Sequence, residues 1–169
     1  MTKLFCLCFC AILFCAQLHA ADSLYDKSSA RKLNASEATL FGPQAGSYRY
    51  DSRMIRAAQI AQERARSHSI SRCWRYVKQA LVAAGAVDSY PKTAYARQAG
   101  GELTQSYGFK KLKTLDPAKA PIGAVLVYGG RDAGHVEIKT AQGYVSDFRS
   151  ATPYTNKRPL IGIFVKPKV

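Results

Sequence analysis

Cys73 stands in the string Ser71-Arg72-Cys73-Trp74-Arg75-Tyr76-Val77-Lys78, and a thiol in such basic company suits nucleophilic chemistry. Ser69 or Ser71 offers an N-cap for a helix whose apolar stripe is Val77, Ala80, Leu81 and Ala84, with Gly85 placed to stop it. Cys73 then falls in the first turn. A thiolate there is favoured by the positive end of the helix dipole and by Arg72, Arg75 and Lys78, with Arg64 and Arg66 slightly more distant. The residues alone leave a second reading open, an inert thiol buried at a helix–helix contact.

A cysteine nucleophile needs a base, and beyond the first twenty residues the chain has two histidines, His68 and His135. His68 lies in a Ser-rich connector and reads as a solvated loop residue. His135 opens a strand behind a glycine turn, in GHVEIKTAQGYVSDF. A three-residue loop of Ala141, Gln142 and Gly143 would pair Thr140 with Tyr144 and set Glu137 opposite Asp147. His135 and Asp147 would then share a face as diagonal neighbours, roughly 7–8 Å apart at the backbone. A carboxylate bonded to one imidazole nitrogen fixes the tautomer and leaves the other nitrogen facing the thiol. Glu137 lies on the same face and is an alternative orienter, or a contact for a cationic part of a substrate. Val136 and Ile138 point the other way, into the core.

The elements that must position these residues are helical first and extended afterwards. From Asp51, the residues Ile55, Ala58, Ala61 or Gln62, and Ala65 recur at helical spacing. The Cys73 helix follows, and a third, shorter helix fits Thr93 to Ala99, before Gly100-Gly101. After Gly108 the pattern changes to strands: the apolar run Gly123 to Tyr128, a turn over Gly129 to Gly134, His135 to Thr140, Tyr144 to Phe148, and Pro159 to Lys166. Helices followed by an antiparallel sheet make an α+β domain over residues 51–169.

Residues 1–20 have the form of a secretory signal peptide. Lys3 gives a positive start, Leu4 to Ala16 is an uncharged apolar run of 13 residues, and small residues close it around Ala20 and Ala21. That run is too short to span a bilayer as a helix. A lipoprotein signal ending at Cys15 is disfavoured by bulky Phe14. Cleavage after Ala20 would remove Cys6, Cys8, Cys10 and Cys15, leaving Cys73 as the sole thiol and excluding an intramolecular disulfide. Residues 21–50 read as an N-terminal arm or tether.

The whole chain of 169 residues carries 25 Lys and Arg against 11 Asp and Glu, a formal charge of +14. Cleavage would take one base, Lys3, and no acid. An exported protein this basic is drawn to polyanions, among them anionic cell-wall polymers. The bases are spread along the chain without a stripe of interleaved stacking aromatics, which argues against a specific nucleic-acid binder.

Cys73-Trp74-Arg75-Tyr76-Val77 resembles the nucleophile helix of CHAP amidase domains. The segment from Pro121 to Tyr128 is similar to the strand before the family histidine, and Gly134-His135-Val136 with its hairpin resembles the histidine motif of NlpC-type peptidases. Both groups belong to the papain-like cell-wall hydrolases, and the order of the motifs, cysteine before histidine, is theirs too. The resemblance spans about residues 65–165 and implies a papain-like fold that hydrolyses amide or peptide bonds in peptidoglycan stem peptides. It implies no metal and no cofactor, with cell-wall polymer as the partner; the chain itself is expected to be a monomer. Carried over, Cys73 is nucleophile, His135 base and then acid, and Asp147, twelve positions on, the orienter. Trp74, Tyr76, Tyr128 and Arg131 would lie near the substrate. The Asp-Cys-Ser-Gly string of NlpC-type enzymes is absent, and the oxyanion hole is unassigned apart from the Cys73 backbone N–H. The sequence also admits a second function, a wall- or polyanion-binding module with the same fold and no chemistry.

Overall fold

A computed structural model describes residues 50–168. The expected signal peptide and residues 21–49 of the expected arm lie outside the described residues. Tyr50, the last residue of that arm, bridges to Pro167, and Asp51 N–H donates to the Lys166 carbonyl at 2.9 Å.

Among the described residues three α-helices come first: α1 (Arg53–Arg64), α2 (Cys73–Ala83) and α3 (Ala99–Tyr107). Six strands follow: β1 (Lys110–Lys111), β2 (Val125–Tyr128), β3 (His135–Thr140), β4 (Gly143–Val145), β5 (Arg149–Ser150) and β6 (Leu160–Val165). They form one sheet in the order β1-β6-β2-β3-β4-β5, antiparallel throughout. The α+β reading, with helices leading into an antiparallel sheet, matches this architecture.

Strand alternation divides the core in two. Val125, Val127, Val136, Ile138 and Val145 face the helices and pack with Met54, Ala58, Val77, Leu81 and Leu103. Leu126, Tyr128, Tyr144 and Ile163 form a second apolar layer that includes Leu112 and Ala124. The stripe read for the Cys73 helix is the stripe that packs, since Val77, Ala80 and Leu81 are fully buried. Among the described residues no helix is long and apolar enough to cross a membrane.

Three local expectations are corrected. The third helix does not stop before Gly100-Gly101. A 3₁₀ turn at Ala96–Gln98 leads into α3, which runs through both glycines. Gly100 is where the Phe164 ring packs: a Cβ there would come within 2.2 Å of the ring. The N-cap of α2 is neither Ser69 nor Ser71 but Arg72, which supplies no side-chain cap. The β3–β4 hairpin pairs Thr140 with Gly143 and Lys139 with Tyr144, one residue off the expected register. Its loop is therefore Ala141-Gln142, and Gly143, at φ +140°, already sits in the strand, where a Cβ would strike the Ser150 carbonyl at 2.3 Å.

Candidate active site

Cys73 begins α2, is partly exposed, and is a free thiol. His135 begins β3. The Cys73 thiol lies near enough to the His135 imidazole to favour the protonated ring, so the helix start and the strand start bring thiol and imidazole together. The imidazole is only 5% exposed. Tyr154 stacks on it with ring centroids 4.0 Å apart, and Tyr128 and Phe148 flank it at 5.9 and 6.2 Å.

The carboxylate beside His135 is that of Glu137, whose Oε2 lies 3.6 Å from His135 Nε2 in an ion-pair contact. Two residues apart on one strand, the two side chains share a face. Glu137 is buried at 2% exposure, and its Oε1 accepts from the Tyr128 hydroxyl at 2.5 Å and from the Tyr154 N–H at 3.3 Å. Burial opposes an imidazolium here, but the contacts with Cys73 and Glu137 outweigh it and raise the His135 pKa to about 9. Burial and the adjacent Glu137 carboxylate push the Tyr128 phenol well above its ordinary range, so it serves Glu137 as a hydrogen-bond donor.

Asp147 lies elsewhere. Val145 pairs with Ile138 on the helix-facing side of the sheet, and Asp147, two residues on, follows that side. Its Oδ2 accepts from the backbone N–H groups of Ile70 and Arg72, at 2.7 and 3.0 Å, and from the Ser69 hydroxyl at 3.4 Å. Oδ1 accepts from the Ser146 hydroxyl at 3.1 Å. Burial works against the charged form, but those backbone and Ser146 donors hold the carboxyl below its ordinary range. The shifted register thus removes Asp147 from the place opposite Glu137 that the longer loop would have given it. The Arg149 guanidinium binds the Gln62 carbonyl at the end of α1.

Several residues expected around the substrate are placed differently. Trp74 is 4% exposed, with its indole N–H on the carbonyl and hydroxyl of Thr93 at 3.1 Å, and Tyr128 is fully buried against Glu137. Tyr76 is half-buried and its hydroxyl accepts from Arg66 Nε at 3.1 Å. Arg131 is exposed on the turn before His135. Arg72 and Arg75 are exposed beside Cys73. Lys78 is turned away, its ammonium on the Thr93 carbonyl at 2.6 Å and 5.2 Å from the ring centres of Trp74 and Tyr90. His68 is exposed in its connector, beside the Ser67 hydroxyl.

Tyr154 and Phe148 complete the cage around His135 without having been read as site residues. The pattern Pro153-Tyr154-Thr155-Asn156 marks only a turn, and nothing in its spacing points back to His135. Among the described residues no group of three or more His, Cys, Asp or Glu could hold a metal ion. The arrangement has the parts for acyl transfer: a thiol, an imidazole in contact with it, and a buried carboxylate behind the imidazole.

No protein-family model matches the chain, and no curated protein matches it. Two solved structures are similar in fold. One is a chain of the type VI native effector-immunity complex Tae3-Tai3 from Ralstonia pickettii, at 24% identity and a TM-score of 0.54, over 67% of this chain and 97% of that one. The other is a chain of the selenomethionine form of that complex, at 24% identity and a TM-score of 0.51, over 65% and 98% of the two chains.

Proposed function

We propose that the protein is an exported cysteine hydrolase that cleaves amide or peptide bonds in peptidoglycan stem peptides. Cys73 is the nucleophile, His135 the base and then the acid, and Glu137, in place of Asp147, the orienter. The observation that carries this reading is the line from the partly exposed Cys73 thiol through the buried His135 imidazole to the buried Glu137 carboxylate. The papain-like resemblance of the motifs supports the choice of a cell-wall amide, and the basic surface suits an anionic wall. The fold likeness to a type VI effector-immunity complex agrees with a cell-directed role, and by the same likeness a cognate immunity protein is a natural partner.

In this mechanism the proton of the Cys73 thiol passes to His135, Sγ attacks the carbonyl carbon and the carbonyl π electrons move to oxygen. The backbone N–H of Cys73, a first-turn donor without an acceptor in its own helix, can receive that oxyanion. The C–N bond then breaks, and the departing amine takes its proton from His135. A thioester remains. Water, deprotonated by His135, attacks it, the C–S bond breaks to release the acid product, and His135 returns the proton to the sulfur. Glu137, fixed by Tyr128 and Tyr154, holds the ring through both steps and stabilises the imidazolium.

The test is incubation of purified sacculi with the protein and with Cys73→Ala, followed by mass spectrometry of released muropeptides. Fragments should appear with the native protein and not with the variant. Equal release from both would sink the mechanism.

A further inference from the structure

Asp147 is fully buried and binds the connector between α1 and α2 at three levels. Its backbone carbonyl accepts from Arg66 N–H at 2.9 Å. Its carboxylate accepts from the Ser69 hydroxyl and then from the N–H groups of Ile70 and Arg72. Between those two N–H donors lies Ser71 at φ 58°, the sole non-glycine residue with positive φ among those described. Successive N–H groups turned inward around a left-handed residue form a concavity that takes an anion, and here the protein's own carboxylate fills it. Arg72 gives α2 no side-chain cap. Asp147 therefore holds the loop from Ser69 to Arg72, the residue before Cys73, from the bend that follows β4.

We propose that Asp147 is a positioning residue: by holding the strained loop 69–72 it sets Cys73 Sγ against the His135 imidazole, and it does so through hydrogen-bond geometry and not through its charge. The inference rests on the reading of Cys73 and His135 as the reacting pair. The hydrogen-bond partners of the Asp147 carboxylate are the loop N–H groups and the Ser69 and Ser146 hydroxyls, none of them on Cys73. The left-handed Ser71 conformation is disfavoured for an L residue and persists only where the surroundings hold it.

Two variants separate geometry from charge. Asp147→Asn keeps an acceptor for Ile70 and Arg72, while its amide can donate to Ser146. Asp147→Glu keeps the charge but carries it one carbon too far. The readout is the rate of iodoacetamide alkylation of the full chain at pH 7, measured on the Cys73 peptide by mass spectrometry so that other cysteines do not contribute. His135→Ala serves as the reference for a Cys73 that has lost its base. Asp147→Asn should react within about twofold of the native rate. Asp147→Glu should fall to the His135→Ala rate, a loss on the order of tenfold or more. If the glutamate variant does not fold, Asp147→Ser, which leaves space instead of filling it, takes its place with the same expectation.

A glutamate or serine variant that reacts at the native rate overturns the proposal, and so does an asparagine variant that falls with His135→Ala. The assay needs no substrate, so a native protein that releases no wall fragments leaves it intact. Native and His135→Ala proteins that alkylate alike would remove the pairing itself.

Discussion

Tyr154 lies flat on His135, with ring centroids 4.0 Å apart and 26° between the planes. The same residue gives its backbone N–H to Glu137 Oε1 at 3.3 Å, so one short turn covers the His135 imidazole and braces the carboxylate behind it. Tyr154→Ala keeps the N–H and removes the ring. It should lower kcat by about tenfold, since ring placement to a fraction of an ångström is what makes such a base effective. KM should change little. Tyr154→Phe should behave like the native protein. Steady-state kinetics on a soluble stem-peptide substrate separates these outcomes, and an unchanged kcat for the alanine variant would show that the cage does not hold the ring.

Glu137→Gln tests which acid orients the histidine. The glutamine oxygen can still accept from Tyr128 and Tyr154, so the fold should survive, but the negative charge beside His135 Nε2 is gone. The loss of kcat should be on the order of 10²-fold or more. Asp147→Asn should cost far less, because its partners are backbone N–H groups that a neutral carbonyl can serve. Parallel kinetics on the two variants decides the matter, and the reverse order would return the role to Asp147.

The raised His135 pKa links stability to pH with a definite sign. In the unfolded chain the imidazole titrates near 6.5, and in the fold near 9. The fold favours the protonated ring, so this stabilisation is fully present below about pH 6.5 and is lost as pH rises through about 9. It amounts to at most a few kcal/mol. Thermal melts from pH 6 to pH 10 should show a fall in Tm over that window. The fall should be shallower in His135→Gln, which has no titrating ring beside Cys73 and Glu137. Matching slopes in the two proteins would show that His135 is not held protonated. Activity that depends on the imidazolium should decline across the same alkaline limb.

The architecture, with Cys73 at a helix start and His135 at a strand start, was legible because it rests on local patterns. The Val77, Ala80, Leu81 stripe and the Val136, Ile138 alternation are packing periodicities, and a cysteine at a helix start and a histidine at a strand start follow from them. The carboxylate was not legible in the same way, because its position depends on a hairpin register that slips by one residue with the loop. Gly143 suits a left-handed loop position, but it is needed in the strand, where a Cβ would meet the Ser150 carbonyl at 2.3 Å. That single residue moves Asp147 to the helix side and leaves Glu137 as the acid at His135. Trp74 shows the same limit. Its place beside Cys73 suggests a substrate contact, but α2 turns it into the core, where Thr93 takes its N–H.

Gly134 connects the turn to the base. Its φ is +75°, and a Cβ there would lie 2.5 Å from the Tyr128 carbonyl oxygen and 2.8 Å from the Arg97 backbone nitrogen. Arg97 N–H in turn donates to the Ala133 carbonyl at 3.0 Å, so the 3₁₀ turn at Ala96–Gln98 is pressed against the residue before His135. A side chain at Gly134 meets backbone on two sides and a conformation that L residues adopt at a cost of about 1–2 kcal/mol. Relief must come from the start of β3, and that carries His135 with it. Gly134→Ala should therefore lower Tm by several degrees and also lower kcat by more than the lost folded fraction explains. Activity at a temperature well below the melt, normalised to the folded fraction, makes the distinction. A variant that loses stability but keeps its native kcat would mean that the turn supports the fold without setting the position of the imidazole.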